Sequence, residues 1–434
     1  MKKQQLNIIF FLLPLFLLGV LNLLAPNKPI ISELENRALK TKPQFTAQKL
    51  WSGEYFREYE NYFADNFIFR ENFVKISGTV NNLWSLPSQE KVTIVLNQGA
   101  NVAAKQNKNN NDQNTGSEER EKPDEEIKNN DNQQDSLKEE KGSVTGKVLV
   151  LNDKAMEIHT FNAEASKYYA DFINDFQKRL ADKNCQVYSL ITPTQIEFMN
   201  DSRYKELSSP QKETIDYVYE LLNPSITTID AYQALKQNTD KYIYFRSDHH
   251  WTALGAYYAY TAFIEAKSEK PIPIEQYKVE QVKPYLGSLY STTLSKEIKG
   301  NPDTVYLYQP LIDYEYTVYY ENPIKIPLLD MRHAENTNKY GIFLGGDHPW
   351  GKITTAQKNG KKIMVIKDSY ANAFVPFLLP HYEEIYIVDP RQFTLDIFAF
   401  IEENNIREVL FLNYVLVTDN NGFTDLLREM SGFN

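Results

Sequence analysis

Two short blocks hold the residues best suited to chemistry: Ser247-Asp248-His249-His250-Trp251-Thr252 and Val365-Ile366-Lys367-Asp368-Ser369-Tyr370. A serine hydroxyl is a poor nucleophile until a base takes its proton, and the base needs a third group to hold its tautomer. Ser369 supplies the nucleophile type, His250 the base and Asp248 the orienting carboxylate, a set suited to acyl transfer through a covalent ester. The blocks lie 119 positions apart (369 minus 250), so only the fold can join them. Histidine is scarce, and two of the chain's six stand side by side here, which makes the Asp-His-His-Trp cluster the more specific signal. Each block also has a plainer reading. Asp368-Ser369 suits a helix cap, since both residue types accept hydrogen bonds from free backbone amides. Asp248, His249 and His250 suit a metal, with Asp347 and His348 as further ligands. Weighed together, the blocks favour acyl chemistry with no metal and no cofactor.

Something must hold these blocks together. Each follows a short apolar run that reads as a strand, 242–245 and 363–366, and precedes a stretch able to start a helix, with Thr252 as the cap of the first. In an open α/β sheet, residues just beyond the carboxyl ends of strands line the ligand crevice. From 146 to 434 the pattern keeps alternating. Strands are expected at 147–151, 186–191, 385–388 and 409–412, and helices at 165–180 and after Thr394. This alternation implies an α/β domain with a mostly parallel sheet and helices on both faces. Residues 271–359, richer in Tyr, Pro and Gly, read as an irregular insertion with some β structure.

The N-terminal third is different. Met1-Lys2-Lys3 precedes an apolar run over 6–25, about the 20 residues a helix needs to cross a bilayer. The basic start favours a cytoplasmic N-terminus with the remainder exported. Asn22-Leu23-Leu24-Ala25-Pro26-Asn27 offers no small-x-small cleavage site, so an uncleaved signal anchor over 1–30 is preferred to a removed leader. Residues 31–98 form an anchor-proximal helical segment. There Trp51, Tyr55, Tyr59 and Phe63 recur every fourth position, a stripe expected to pack on the main domain. Residues 99–145 are dominated by Asn, Gln, Lys, Glu and Asp, a composition that cannot offset its own ordering entropy, so disorder is expected. A net charge of −10 argues against nucleic acid. The lone Cys185 excludes an intramolecular disulfide and, among apolar neighbours, reads as a small buried hydrophobe. The 29 Tyr and 24 Phe leave room for a sugar-binding surface, although most should be core.

The sequence resembles the bacterial DHHW family, which is related to the SGNH-like acetyltransferase domains of periplasmic alginate O-acetylation proteins. The marks are Ser32-Glu33-Leu34-Glu35-Asn36-Arg37, Phe63-Ala64-Asp65-Asn66-Phe67-Ile68-Phe69-Arg70 and Asp248-His249-His250-Trp251. Gly345-Gly346-Asp347-His348-Pro349, Lys367-Asp368-Ser369-Tyr370-Ala371-Asn372 and Val388-Asp389-Pro390-Arg391 follow in the same order. The resemblance implies an SGNH-hydrolase-like, flavodoxin-like fold. It also implies a triad of Ser369, His250 and Asp248, with His249 in the family's variable place, and O-acetyl transfer to, or removal from, a cell-envelope polysaccharide. A transferase of this kind would receive acyl groups through a membrane-bound O-acyltransferase partner. Lys367 departs from the Gly that many SGNH relatives carry before Asp-Ser, and the Asp/His block precedes the Ser. The backbone amide of Ser369 is the first candidate oxyanion donor. Asn372, Arg391, His249, Trp251 and His348 are candidates for the substrate or oxyanion side. The competing function is a non-catalytic envelope scaffold or glycan-binding protein of the same fold.

Overall fold

The computed structural model describes residues 42–70 and 148–433, the strand Gly142–Thr145 (β1), and isolated positions before residue 42. The expected anchor, 1–30, lies outside the described residues except for Leu13, Gly19, Leu21 and Asn22. The polar insert, 99–145, lies outside them except for β1. Among the described residues no helix is long and apolar enough to cross a membrane.

The ring stripe falls on α1 (Ala47–Trp51) and α2 (Glu54–Asp65). Trp51 is 89% exposed and Phe63 39%, so the stripe does not form the buried face expected of it. Its rings meet one another instead, as where Tyr55 and Tyr59 sit 6.0 Å apart.

In the main domain β1 pairs with β2 (Val148–Leu151), and β2 with β3 (Lys154–Glu157), in a small antiparallel sheet. The strand expected at 147–151 therefore exists but stands outside the central sheet. Asn152 takes a left-handed φ of 56°, which asparagine tolerates, and the chain doubles straight back. β4 (Gln186–Thr192) and β5 (Thr227–Thr228) belong to the central sheet, while β6 (Val279–Tyr285) and β7 (Asp303–Tyr308) form a separate antiparallel pair. The central sheet resumes with β8 (Tyr314–Tyr319), β9 (Pro323–Lys325), β10 (Trp350–Thr355), β11 (Lys362–Lys367), β12 (Glu384–Val388) and β13 (Glu408–Tyr414).

The sheet has eight strands in the order β9-β8-β10-β12-β11-β13-β4-β5. Pairings from β12 through to β5 are parallel. Those from β9 through to β12 are antiparallel. The segment 271–359 is thus not only an irregular insertion, because it supplies the antiparallel edge.

Among the helices of the domain, those that pack on the sheet or reach the site are α3 (Ala163–Leu180), α4 (Gln211–Leu221), α5 (Ala253–Ala266), α6 (Ser288–Thr293), α7 (Ala371–Phe374), α8 (Ile397–Glu403) and α9 (Asn421–Met430). The strand pleat explains the two cores. Along β11, Ile363 and Val365 pack with α5 and α7, whereas Met364 and Ile366 pack with α3, α4, α8 and α9 on the other face. Strands buried on both sides read as continuous apolar runs, the pattern of 363–366, 385–388 and 409–412.

The run 242–245 is not a strand of this sheet. Tyr244 bridges only to Trp251, Phe245 N donates to His250 O at 3.3 Å, and Thr252 N donates to Ile243 O at 2.9 Å. Ile243 and Phe245 are buried in the core, and their apolar character comes from that burial rather than from strand pairing.

Candidate active site

In the parallel region the chain leaves β11 for β12 on one side and later returns as β13 on the other. β11 is therefore where the winding reverses, the place where open α/β sheets leave a crevice beyond their strand ends. Ser369 lies two residues past β11, at that position.

The segment 242–252 closes on itself and then enters α5, where Thr252 Oγ1 accepts from Gly255 N at 3.3 Å. The tight closure presents His250 to Ser369. His250 Nε2 lies 2.7 Å from Ser369 Oγ, and His250 Nδ1 lies 2.5 Å from Asp248 Oδ1. The structure thus brings Asp248, His250 and Ser369 into one chain of hydrogen bonds, with His250 in the middle. The second oxygen of Asp248 accepts from Tyr285 Oη at 2.8 Å and from Ser288 N at 2.9 Å. Burial alone would push the Asp248 carboxyl up. Charge from His250 and His249 and hydrogen bonds from His250 and the Ser288 amide outweigh it and hold the carboxyl well below the usual range.

Three residues that finish this arrangement carry no sequence signal. Tyr285 and Ser288 hold the carboxylate. Tyr340 lies flat on the His250 ring, 3.7 Å away and 8° from parallel, and its hydroxyl donates to the carbonyls of Ser369 and Tyr370 at 3.2 and 3.3 Å. All three fall in 271–359, which the sequence marks only as an irregular insertion.

The cap reading of Asp368-Ser369 does not hold, because α7 begins without a side-chain cap. Asp368 instead accepts from Tyr370 N at 2.9 Å, from Tyr414 N at 2.9 Å and from Asn413 Nδ2 at 3.2 Å, tying the serine turn to the end of β13. Burial pushes its carboxyl up to about 6 against these donors. Among the described residues the Ser369 amide donates no hydrogen bond, while the amides of Asp368, Tyr370, Ala371 and Asn372 are all engaged. It is left available to an oxyanion.

The remaining candidates separate. Trp251 is fully buried and its Nε1 donates to Tyr370 O at 2.8 Å, so it locks the two blocks together and offers no surface to a substrate. Asn372 is buried as well, and its amide donates to Asp347 Oδ1 at 2.9 Å rather than serving Ser369. Arg391 bonds Asp389 Oδ1 at 2.8 Å and Asp347 Oδ2 at 2.8 Å. Lys367, almost wholly buried, is neutralised by Asp347 and Asp389. Asn372, Arg391 and Lys367 thus form one ionic network behind the serine turn, built on Asp347 and Asp389. His348 has Tyr320 Oη 2.7 Å from Nδ1 and Leu344 O 3.0 Å from Nε2, so both ring nitrogens are occupied. His249 stays beside the triad, its ring 3.8 Å from that of His250.

Among the described residues, Asp248, His249 and His250 also bring ligand atoms within 4.8 Å of one another. Both nitrogens of His250, the Nδ1 of His249 and both oxygens of Asp248 are already hydrogen-bonded, and Asp347 and His348 face other partners. This arrangement fits proton transfer better than metal ligation.

Ser369, His250 and Asp248 thus converge beyond the strand ends of a mostly parallel α/β sheet. The DHHW protein family matches over residues 121–388, more than half of the chain, and the chain belongs to that family. A DHHW family protein from Eubacterium siraeum DSM 15702 is 30% identical, with a TM-score of 0.60 over 66% of this chain and 96% of that one. PatB1 of Bacillus cereus shares the fold at 23% identity, with a TM-score of 0.55 over 65% of this chain and 99% of its own. A second PatB1 structure, with a sulfonyl adduct, matches at 20% identity and a TM-score of 0.55, over 64% of this chain and 96% of its own. No curated protein matches the chain.

Proposed function

We propose that this protein is an exported, membrane-anchored acyltransferase or esterase that moves acetyl groups onto, or off, a cell-envelope polysaccharide. The observation that carries the reading is the alignment of Ser369 Oγ, His250 Nε2 and Asp248 at 2.7 and 2.5 Å, in the order a serine nucleophile requires. In the first half-reaction Ser369 Oγ bonds to the acyl carbonyl carbon while its proton passes to His250 Nε2. The oxygen that gains charge takes the Ser369 amide, and the leaving group departs with the proton from His250. In the second half a sugar hydroxyl or water attacks the acyl carbon, His250 accepts its proton, and the Ser369 oxygen recovers one as the ester bond breaks. Asp248 stays ionised throughout and stabilises the charged imidazole.

Export rests on the basic start and the apolar run at 6–25. The polysaccharide and a membrane-bound O-acyltransferase donor rest on the family resemblance. The purified protein is expected to release acetate from an activated acetyl ester. Folded protein with no turnover would favour the scaffold or glycan-binding reading. Protease added to intact, wall-stripped cells is expected to digest the α/β domain, and complete protection would place that domain inside and reject an envelope substrate.

A further inference from the structure

His249 makes no direct hydrogen bond to Ser369, His250 or Asp248, yet its ring lies 3.8 Å from that of His250. Its Nδ1 lies 2.7 Å from Ser288 Oγ, and that hydroxyl lies 3.1 Å from Asp248 Oδ2. Ser288 has one proton to give. An oxygen lone pair facing the ionised Asp248 oxygen would repel it, so the proton belongs in that gap. His249 must then donate through Nδ1–H, which aligns His249, Ser288 and Asp248 as a polarised chain. The tautomer assigned from this network leaves the lone pair on Nε2. Burial and the neighbouring His250 both push the His249 ring toward its neutral form. Among the described residues nothing hydrogen-bonds Nε2, and the side chain is 21% exposed.

Burial pushes the Glu157 carboxyl, at the end of β3, up toward its protonated form, and its buried Oε2 has no hydrogen-bond partner among the described residues. The open Nε2 acceptor of His249 beside a serine–histidine pair suits a ligand that brings a second hydroxyl.

We propose that His249 Nε2 recognises the acyl acceptor by taking a hydrogen bond from a hydroxyl next to the attacking one, so that the site prefers a vicinal diol of a sugar to a simple alcohol. The inference rests on Ser369 forming an acyl-enzyme. The attacking hydroxyl gives its proton to His250, its oxygen bonds to the acyl carbon, and the bond from that carbon to Ser369 Oγ breaks. The neighbouring hydroxyl keeps its proton and only points it at His249.

Partition of one acyl-enzyme between two acceptors tests this. The full chain is acetylated by p-nitrophenyl acetate in the presence of methyl glucoside and n-propanol, and the ratio of the two acetyl esters is measured. Damage to the triad slows both products alike and leaves the ratio in place, so a merely structural role would not move it. The wild type is expected to favour the glucoside. His249→Asn puts an amide where Nδ1–H was and removes the Nε2 acceptor, so the ratio should fall roughly tenfold, the effect of one lost hydrogen bond. His249→Gln, with an amide carbonyl able to reach the Nε2 position, should recover part of it. An unchanged ratio in His249→Asn, or a wild type without preference for the glucoside, overturns the inference while leaving the triad standing. A wild type that releases no p-nitrophenol overturns the triad reading and the inference with it.

Discussion

Gly287 offers a perturbation that reaches the triad without replacing any member of it. Its backbone φ of −86° is open to any residue, so the glycine is required by space and not by conformation. A Cβ at this position would lie 2.4 Å from both Cβ and Oδ2 of Asp248, where ordinary contact begins at 3.4 Å. Gly287→Ala must therefore push the carboxylate away by about 1 Å, against a pocket closed by Tyr285 and Ser288. The 2.5 Å contact from Asp248 to His250 would open to about 3.5 Å, beyond a useful hydrogen bond. A misplacement of this size in an active site costs about 10²-fold in rate. Overpacking adds about 1–3 kcal/mol of destabilisation. The assay is steady-state turnover of p-nitrophenyl acetate beside a thermal melt. The expected result is a fall of about 100-fold in kcat with a melt that stays cooperative and drops by roughly 2–12 °C. Gly300→Ala is the control, since nothing lies within 4 Å of a Cβ there, and it should keep wild-type turnover. Because the effect runs through the Asp248 side chain, Gly287→Ala should add nothing in an Asp248→Gly background, which removes every Asp248 atom the new Cβ would meet. Turnover within threefold of wild type in Gly287→Ala, or full additivity in the double variant, would refute the reasoning.

Other outcomes follow from the same geometry. Ser369→Ala and His250→Ala should each abolish most ester turnover, and the double variant should be no worse than either, because triad members act as a unit; independent losses would contradict it. Turnover should survive EDTA, since the ligand atoms of Asp248 and His250 are already engaged in hydrogen bonds; loss restored by zinc would favour the metal reading. The Asp368 carboxyl, pushed up to about 6 by burial, lies above its unfolded value, so its protonated form stabilises the fold. That contribution is complete below about pH 4 and is lost as pH rises through 6, amounting to about 3 kcal/mol. Urea unfolding of Asp368→Asn should therefore lose less stability between pH 4 and 7.5 than the wild type does; parallel curves would show that Asp368 is not the group responsible. Cys185, whose thiol burial pushes up to about 12, should resist iodoacetamide at pH 8 until the protein unfolds; rapid alkylation of the native chain would contradict that.

The sequence reading reached the residues whose signals are local. The apolar runs at 363–366, 385–388 and 409–412 announce strands because both faces are buried, and the structure finds β11, β12 and β13 there. Asp248 and His250 stood out because two of the chain's six histidines are adjacent there, and Ser369 because its block follows an apolar run. Other features depend on partners distant in sequence. The run 242–245 is as apolar as a strand, yet its only bridge is to Trp251, and burial without pairing leaves the same composition. Trp251, a candidate for the substrate or oxyanion side through the family resemblance, donates its Nε1 to Tyr370 O in a closed core. Asn372 and Arg391, candidates for the substrate or oxyanion side, are taken up by Asp347, a partner 25 and 44 positions away. Tyr285, Gly287, Ser288 and Tyr340 matter through contacts with Asp248 and His250, and nothing in their own neighbourhood marks them.

The central claim is that Ser369 is an activated nucleophile, and covalent labelling tests it directly. The full chain is treated with a fluorophosphonate probe and the modified peptide is located by mass spectrometry. The account predicts one adduct, on Ser369, that disappears in Ser369→Ala and slows strongly in His250→Ala while both variants melt as folded proteins. Folded wild-type protein that takes up no probe, or that carries it on another residue, would contradict it.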